Sequence, residues 1–169
     1  MPISFDPAKR LFRLDTKTST YAFFVYRENY LVHLYYGAKI PDSDLEYLMY
    51  RGKFDSLSPW NTKVDDPDFS ADITPFEYPT NGAGDMRIAA LSVRNGDGNA
   101  VTDVRYVSHK IIPGKPALEG LPATFADGSQ AETLEVETVD PVTGVKVFLL
   151  YTVFADYGVT TRSVRVENG

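Results

Sequence analysis

The sequence predicts an all-β sandwich. Three observations carry this. Short runs of β-branched and aromatic residues recur along most of the chain. Turn-forming residues separate them. No stretch carries the three-to-four-residue apolar spacing of an amphipathic helix.

Taken in order, "LFRLDT" (11–16), "TYAFFVY" (20–26) and "YLVHLYYG" (30–37) read as strands of a meander joined by "KTS" and "REN". In the third run, strict alternation places Leu31, His33 and Tyr35 on one face and Val32, Leu34 and Tyr36 on the other. Both faces are largely apolar, so this strand is expected to be covered on both sides. "YLMYRG" (47–52) fits a helical turn or a short strand. From about Pro41 to Asp85 the chain turns irregular and rich in Pro, Asp, Ser and Asn, yet it holds the single tryptophan, Trp60, with Phe54, Phe69 and Phe76. So many aromatics argue for an ordered, projecting loop. "MRIAALSVRN" and "VTDVRYVSHKII" then read as two strands flanking a "GDGNA" hairpin turn. "PGKPALEGLPATF" is a proline-rich excursion. "ETLEVETVD" alternates, with Leu134, Val136 and Thr138 on one face. "PVTG" leads into "VKVFLLYTVFADY", and "GVTTRSVRVEN" closes with Val164 and Val166 on one face. The total is roughly nine strands with no internal repeat.

Bulk properties narrow the function. A chain of 169 residues, 43% hydrophobic and 13% aromatic, suits one domain with its own core. Net charge is -6 without any Lys/Arg cluster, so no nucleic-acid footprint is present. The absence of cysteine removes disulfides, thiol nucleophiles and thiolate metal sites, and fits a reducing compartment. No signal-peptide pattern opens the chain, and no apolar run approaches the ~18 residues of a membrane helix. The expectation is a soluble cytoplasmic protein with no nucleic-acid or membrane partner.

Several constellations imitate functional motifs, and each has a plainer reading. "NGAGDMR" (81–87) holds G-x-G but lacks the third glycine, and a strand rather than a helix is expected to follow, so nucleotide binding is rejected. Its plainer reading is a tight turn fixed by an Asp85–Arg87 ion pair. Asn95, Asp97 and Asn99 imitate a calcium loop, but Ala100 and Tyr106 stand where Gly and Glu are required. "DDPD" (65–68) reads as a solvated loop. No cofactor or metal is expected. His33 and His109 lie mid-strand among apolar residues and read as packed, hydrogen-bonded histidines. No nucleophile elbow exists for a Ser-His-Asp site. Trp60 and the loop aromatics suit either stacking on a pyranose ring or packing of the loop.

Read in order, "YLVHLYYGAKI" (30–40), "FSADITPFEYPTNGAGDMRIAALSV" (69–93), "VTDVRYVSHKIIPGKPALEGLPATF" (101–125), "AETLEVETVDPVTGVKV" (131–147) and "YTVFADYGVTTRSVRVENG" (151–169) resemble the amino-terminal domain of the family 36 glycoside hydrolases, the bacterial α-galactosidases. The likeness covers nearly the whole chain and is weakest over 41–68. It implies part of a β-supersandwich similar to galactose mutarotase, with residues 1–169 forming a single amino-terminal unit. It also implies a retaining enzyme acting on terminal α-galactosides, whose two catalytic Asp residues lie in a barrel outside this chain. Retention places those carboxyl groups about 5–5.5 Å apart. The family's tetramers suggest a homo-oligomer in which loops reach a neighbouring active site. Asp55, Trp60, Asp68, Asp85 and Arg87 are the candidates for lining that site or the subunit interface. A stand-alone carbohydrate-binding module and a purely structural association domain are the alternatives.

Overall fold

The computed structural model describes residues 1–41, 45–49, 69–82, 84–120 and 123–169. Among them are eight strands: β1 (Ile3–Asp6), β2 (Leu11–Asp15), β3 (Ser19–Val25), β4 (Leu31–Ala38), β5 (Arg105–Pro113), β6 (Glu132–Val139), β7 (Lys146–Phe154) and β8 (Val159–Glu167). They form two four-stranded antiparallel meanders, β1-β2-β3-β4 and β5-β6-β7-β8. Helical structure in the described residues is limited to single 3-10 turns, one of them at Glu46–Leu48, overlapping the start of the ambiguous "YLMYRG" segment.

Alternation along the strands builds the core. Phe12, Leu14, Tyr21, Phe23 and Val25 of the first sheet face Leu134, Val136, Val147, Leu149, Tyr151 and Val153 of the second, all buried in one cluster. Phe23 stacks on Tyr151 with ring centroids 5.0 Å apart, and His109 enters from β5 to lie 4.3 Å from Phe5 and 4.8 Å from Phe12. The expected face of β6 holds: Leu134, Val136 and Thr138 are all buried. Val164 and Val166 lie opposite Leu149 and Val147 in register, hence on the core-facing side of β8, but each remains more than two-fifths exposed.

Three expectations need correction. β1 is an additional strand, too short and too close to Pro2 and Pro7 to stand out in the sequence. Residues 86–95 do not pair with the 101–112 run. The turn itself forms, with Gly98 N–H donating to the Asn95 carbonyl. However, the backbone groups on either side bond to 79–81 instead: Ala90 N–H donates to Pro79 and Thr102 N–H to Asn81. Regular pairing therefore begins only at Arg105, and residues 86–95 contribute a single isolated bridge, Leu91 to Thr80.

The third correction concerns β4. Ala22 pairs with Tyr35 but Phe23 with His33, leaving Leu34 as an extra residue in a bulge. The bulge moves Tyr36, not Tyr35, into register opposite Tyr21, on the side of Leu31 and His33. The Tyr21 and Tyr36 rings lie 5.5 Å apart. The prediction that this strand is covered on both sides holds at its first half. Leu31 joins the main core, whereas Val32 packs with Tyr30 and Phe69 in a second cluster.

Candidate functional site

The segment after residue 69 docks on the edge of β4 as a short extra strand. His33 N–H donates to the Pro75 carbonyl at 2.7 Å, and Glu77 N–H donates to Leu31 at 3.0 Å. Backbone alternation sends Phe76 outward to the second cluster and turns the Glu77 side chain inward. There the carboxylate is 1% exposed.

Four side chains from four strands satisfy it. Tyr21 Oη donates to Oε1 at 2.5 Å and Tyr151 Oη to the same oxygen at 2.9 Å. The Arg162 guanidinium approaches Oε1 at 2.8 Å. His33 Nδ1 meets Oε2 at 3.1 Å. Tyr21 and His33 belong to the first sheet, Tyr151 and Arg162 to the second, so one carboxylate ties the sandwich together. A buried charge is tolerated only with such pairing and hydrogen bonding. Burial, then the charge of Glu77, pushes the Tyr21 and Tyr151 hydroxyls well above the ordinary phenol range.

A carboxylate 3.1 Å from an imidazole has the composition of an acid–base pair. Glu77 and His33 do not act as one, because one carboxylate oxygen already takes three donors and the group is sealed from solvent. His109 is likewise packed. It hydrogen-bonds Tyr106 Oη at 2.8 Å, and burial among Phe5 and Phe12 lowers its pKa.

Asp85 and Arg87 meet as a bidentate pair. Arg87 Nε and its terminal nitrogen donate to the two Asp85 oxygens at 2.8 and 2.7 Å, and Arg87 N–H donates to the same carboxylate at 3.0 Å. The guanidinium also reaches the Ala71 carbonyl at 3.3 Å and lies 5.5 Å from the Phe76 ring. The pair thus fixes its own turn and ties it to the 69–77 segment. Asp85 is buried and borders a cavity of about 20 Å³, room for one water and no sugar. Asp55, Trp60 and Asp68, as well as the 65–68 acidic run, lie outside the described residues.

The same geometry recurs twice more: an Asp clamps an Arg two residues away while the Arg holds a distant carbonyl. Arg13, paired with Asp15 at 2.8 Å, donates to the carbonyls of Ile40 and Pro41. Arg105, paired with Asp103, donates to the Glu28 carbonyl at 2.8 Å and to Tyr30 Oη. Sequence reading found the Asp85–Arg87 pair from its spacing. It missed Glu77, Tyr21, Tyr151 and Arg162, which no local pattern connects. The Asp97 carboxylate, part of the rejected calcium pattern, is engaged by the Asn99 N–H and side-chain amide.

Comparison with known proteins is consistent across sequence and structure. Residues 29–169 match the model of the glycosyl hydrolase family 36 N-terminal domain. Over 169 aligned residues the chain is 40% identical to the bifunctional alpha-galactosidase/sucrose kinase AgaSK of Mediterraneibacter gnavus, and 37% identical to alpha-galactosidase AgaA of Geobacillus stearothermophilus. Each alignment takes in 99% of this chain but only 18% and 23%, respectively, of the relative. The galactosidase domain of AgaSK superposes with a TM-score of 0.92 at 38% identity, covering 98% of this chain and 23% of that one. The alpha-galactosidase AgaB of Geobacillus stearothermophilus gives 0.88 at 37% identity, covering 99% and 22%.

Proposed function

The chain belongs to the glycosyl hydrolase family 36 N-terminal domain family, and from that premise we propose that it is the non-catalytic amino-terminal part of a cytoplasmic α-galactosidase. The observation that carries this reading is the share of the relatives it spans: 18% of one and 23% of the other, both named for α-galactosidase activity. The state of the acids agrees. Among the candidate groups described, Glu77 is sealed and saturated, and Asp85 is locked to Arg87. Neither is poised to attack an anomeric carbon or to protonate a leaving group.

In this reading the substrate is a terminal α-galactoside, hydrolysed with retention by two carboxyl groups in polypeptide outside these 169 residues. This domain contributes assembly. Its 41–68 loop, with Asp55, Trp60 and Asp68, lines the outer part of a neighbouring subunit's site. Asp85 and Arg87 brace the segment that follows the loop, through the Ala71 carbonyl. The homo-oligomer expected from the family resemblance is part of the same proposal.

The test is direct. Residues 1–169 alone are expected to release no nitrophenol from a nitrophenyl α-galactoside, whereas the full-length enzyme does. Turnover by the isolated domain refutes the division of labour. In the full-length enzyme, Trp60→Ala is expected to raise KM for raffinose more than for the nitrophenyl substrate. Equal effects on both would remove the loop from the substrate path.

A further inference from the structure

The span that carries Trp60 starts and ends at one place. Met49, before residues 50–68, and Phe69, after them, both belong to the second cluster, which gathers around Val32 on the face of β4 turned away from the main core. Tyr30 joins the ends there. Its ring stacks on Phe69 with centroids 5.3 Å apart and lies 4.9 Å from Phe76.

The three Asp–Arg pairs act on this base and on the chain that leads to it. Arg87 donates to the carbonyl of Ala71, two residues past Phe69, and lies 5.5 Å from the Phe76 ring. Arg105 donates to Tyr30 Oη and covers the Tyr30 ring at 3.6 Å. Arg13 takes the incoming chain. It stands between Phe12 and Leu14, both in the main core, so alternation turns it to the outer face of the first sheet. Yet it is only 7% exposed, and arginine is almost never so buried unless paired. Asp15 pairs with it at 2.8 Å, and the Thr20 hydroxyl holds Asp15 by donating to it at 2.6 Å. Oriented in this way, the guanidinium donates to the Ile40 and Pro41 carbonyls. Ile40 N–H donates in turn to Thr20 Oγ1 at 3.3 Å. Two successive carbonyls on one planar fork set both the position and the direction of the chain as it leaves β4.

We propose that Arg13 is a positioning residue for oligosaccharide selectivity. Its fork fixes the chain that enters the 49–69 span, as Arg87 fixes the chain that leaves it, so the span meets substrate from a rigid base. Arg13 itself is buried and touches no sugar. The inference rests on the reading above, in which the 41–68 loop lines the outer part of a neighbouring subunit's site. A misplacement of about 1 Å, caused far from the reacting atoms, costs up to about a hundredfold in rate. A binding contact is held only as well as the residues that support it. Selectivity for a longer α-galactoside therefore passes through Arg13, whereas handling of the terminal galactose belongs to the catalytic polypeptide.

The full-length enzyme tests this with Arg13→Lys, which keeps the charge and loses the fork. KM for raffinose is expected to rise about fivefold, with kcat and the nitrophenyl α-galactoside constants within about twofold of the parent. Thr20→Val keeps the guanidinium and removes the bonds to Asp15 and to Ile40 N–H; it is expected to raise KM for raffinose alone, by about twofold to threefold. It decides by the same split if Arg13→Lys fails to fold. Hydrogen exchange at Lys39 and Ile40, whose N–H groups bond to Thr18 and Thr20, is expected to quicken about tenfold in either variant. A merely structural role would affect both substrates alike, and that result overturns the proposal, as does unchanged exchange. If Trp60→Ala separates the two substrates and neither variant does, the proposal falls and the reading of the loop stands. If Trp60→Ala does not separate them, the reading falls and the proposal with it.

Discussion

The Tyr151 hydroxyl donates to the Glu77 carboxylate at 2.9 Å across 74 residues of sequence. It is one of four contacts through which a carboxylate on the β4 edge binds strands of both sheets. Removing that carboxylate leaves two buried phenols without their acceptor and a guanidinium without its counter-charge. Glu77→Leu is therefore expected to lower unfolding free energy by about 3–5 kcal/mol, read from the urea midpoint. A loss under about 1 kcal/mol would show that the tie is incidental.

The two phenols make a prediction at high pH. Their folded-state pKa values lie above the unfolded reference of 10.0. Below that reference both states hold the protons and the contribution to stability is complete. Above it the unfolded chain releases protons that the folded chain keeps, so stability falls as pH rises. Stability measured from pH 9 upward should decline, with Tyr21 and Tyr151 ionising together with unfolding in an absorbance titration. Replacing both by Phe should flatten the decline. Independent phenolate formation near pH 10 in the folded protein would contradict the assignment.

Arg105 makes three kinds of contact at once: it pairs with Asp103, donates to the Glu28 carbonyl and Tyr30 Oη, and covers the Tyr30 ring at 3.6 Å. A lysine ammonium cannot reproduce a planar fork stacked on a ring. Arg105→Lys is expected to cost about 1–3 kcal/mol, seen as a lowered melting temperature. A variant as stable as the parent would mean that the hairpin tip holds itself.

Much of the fold was legible because strands announce themselves by alternation. β6 carries buried residues on the expected face, and the pairing of β2 with β3 follows from a short turn between two aromatic runs. Local spacing equally exposed the Asp85–Arg87 pair, whose members are two residues apart. What failed was whatever depended on distant backbone. The 86–95 run has strand-like composition, yet its neighbours' hydrogen bonds go to 79–81. Leu34 shifts the register of β4 by one residue without any glycine or proline to mark it. Glu77 reads as one loop acid among many, because its partners stand 44 to 85 residues away. No window of sequence contains them together.

That separation has a consequence for biosynthesis. Arg162 leaves the ribosome 85 residues after Glu77, roughly 4–17 s later at ordinary elongation rates. Until then the first meander has its imidazole and one phenol but lacks the cation that neutralises the acid. Glu77 is thus enclosed by β6 and β7 before its cation arrives, and its charge is neutralised only when β8 emerges.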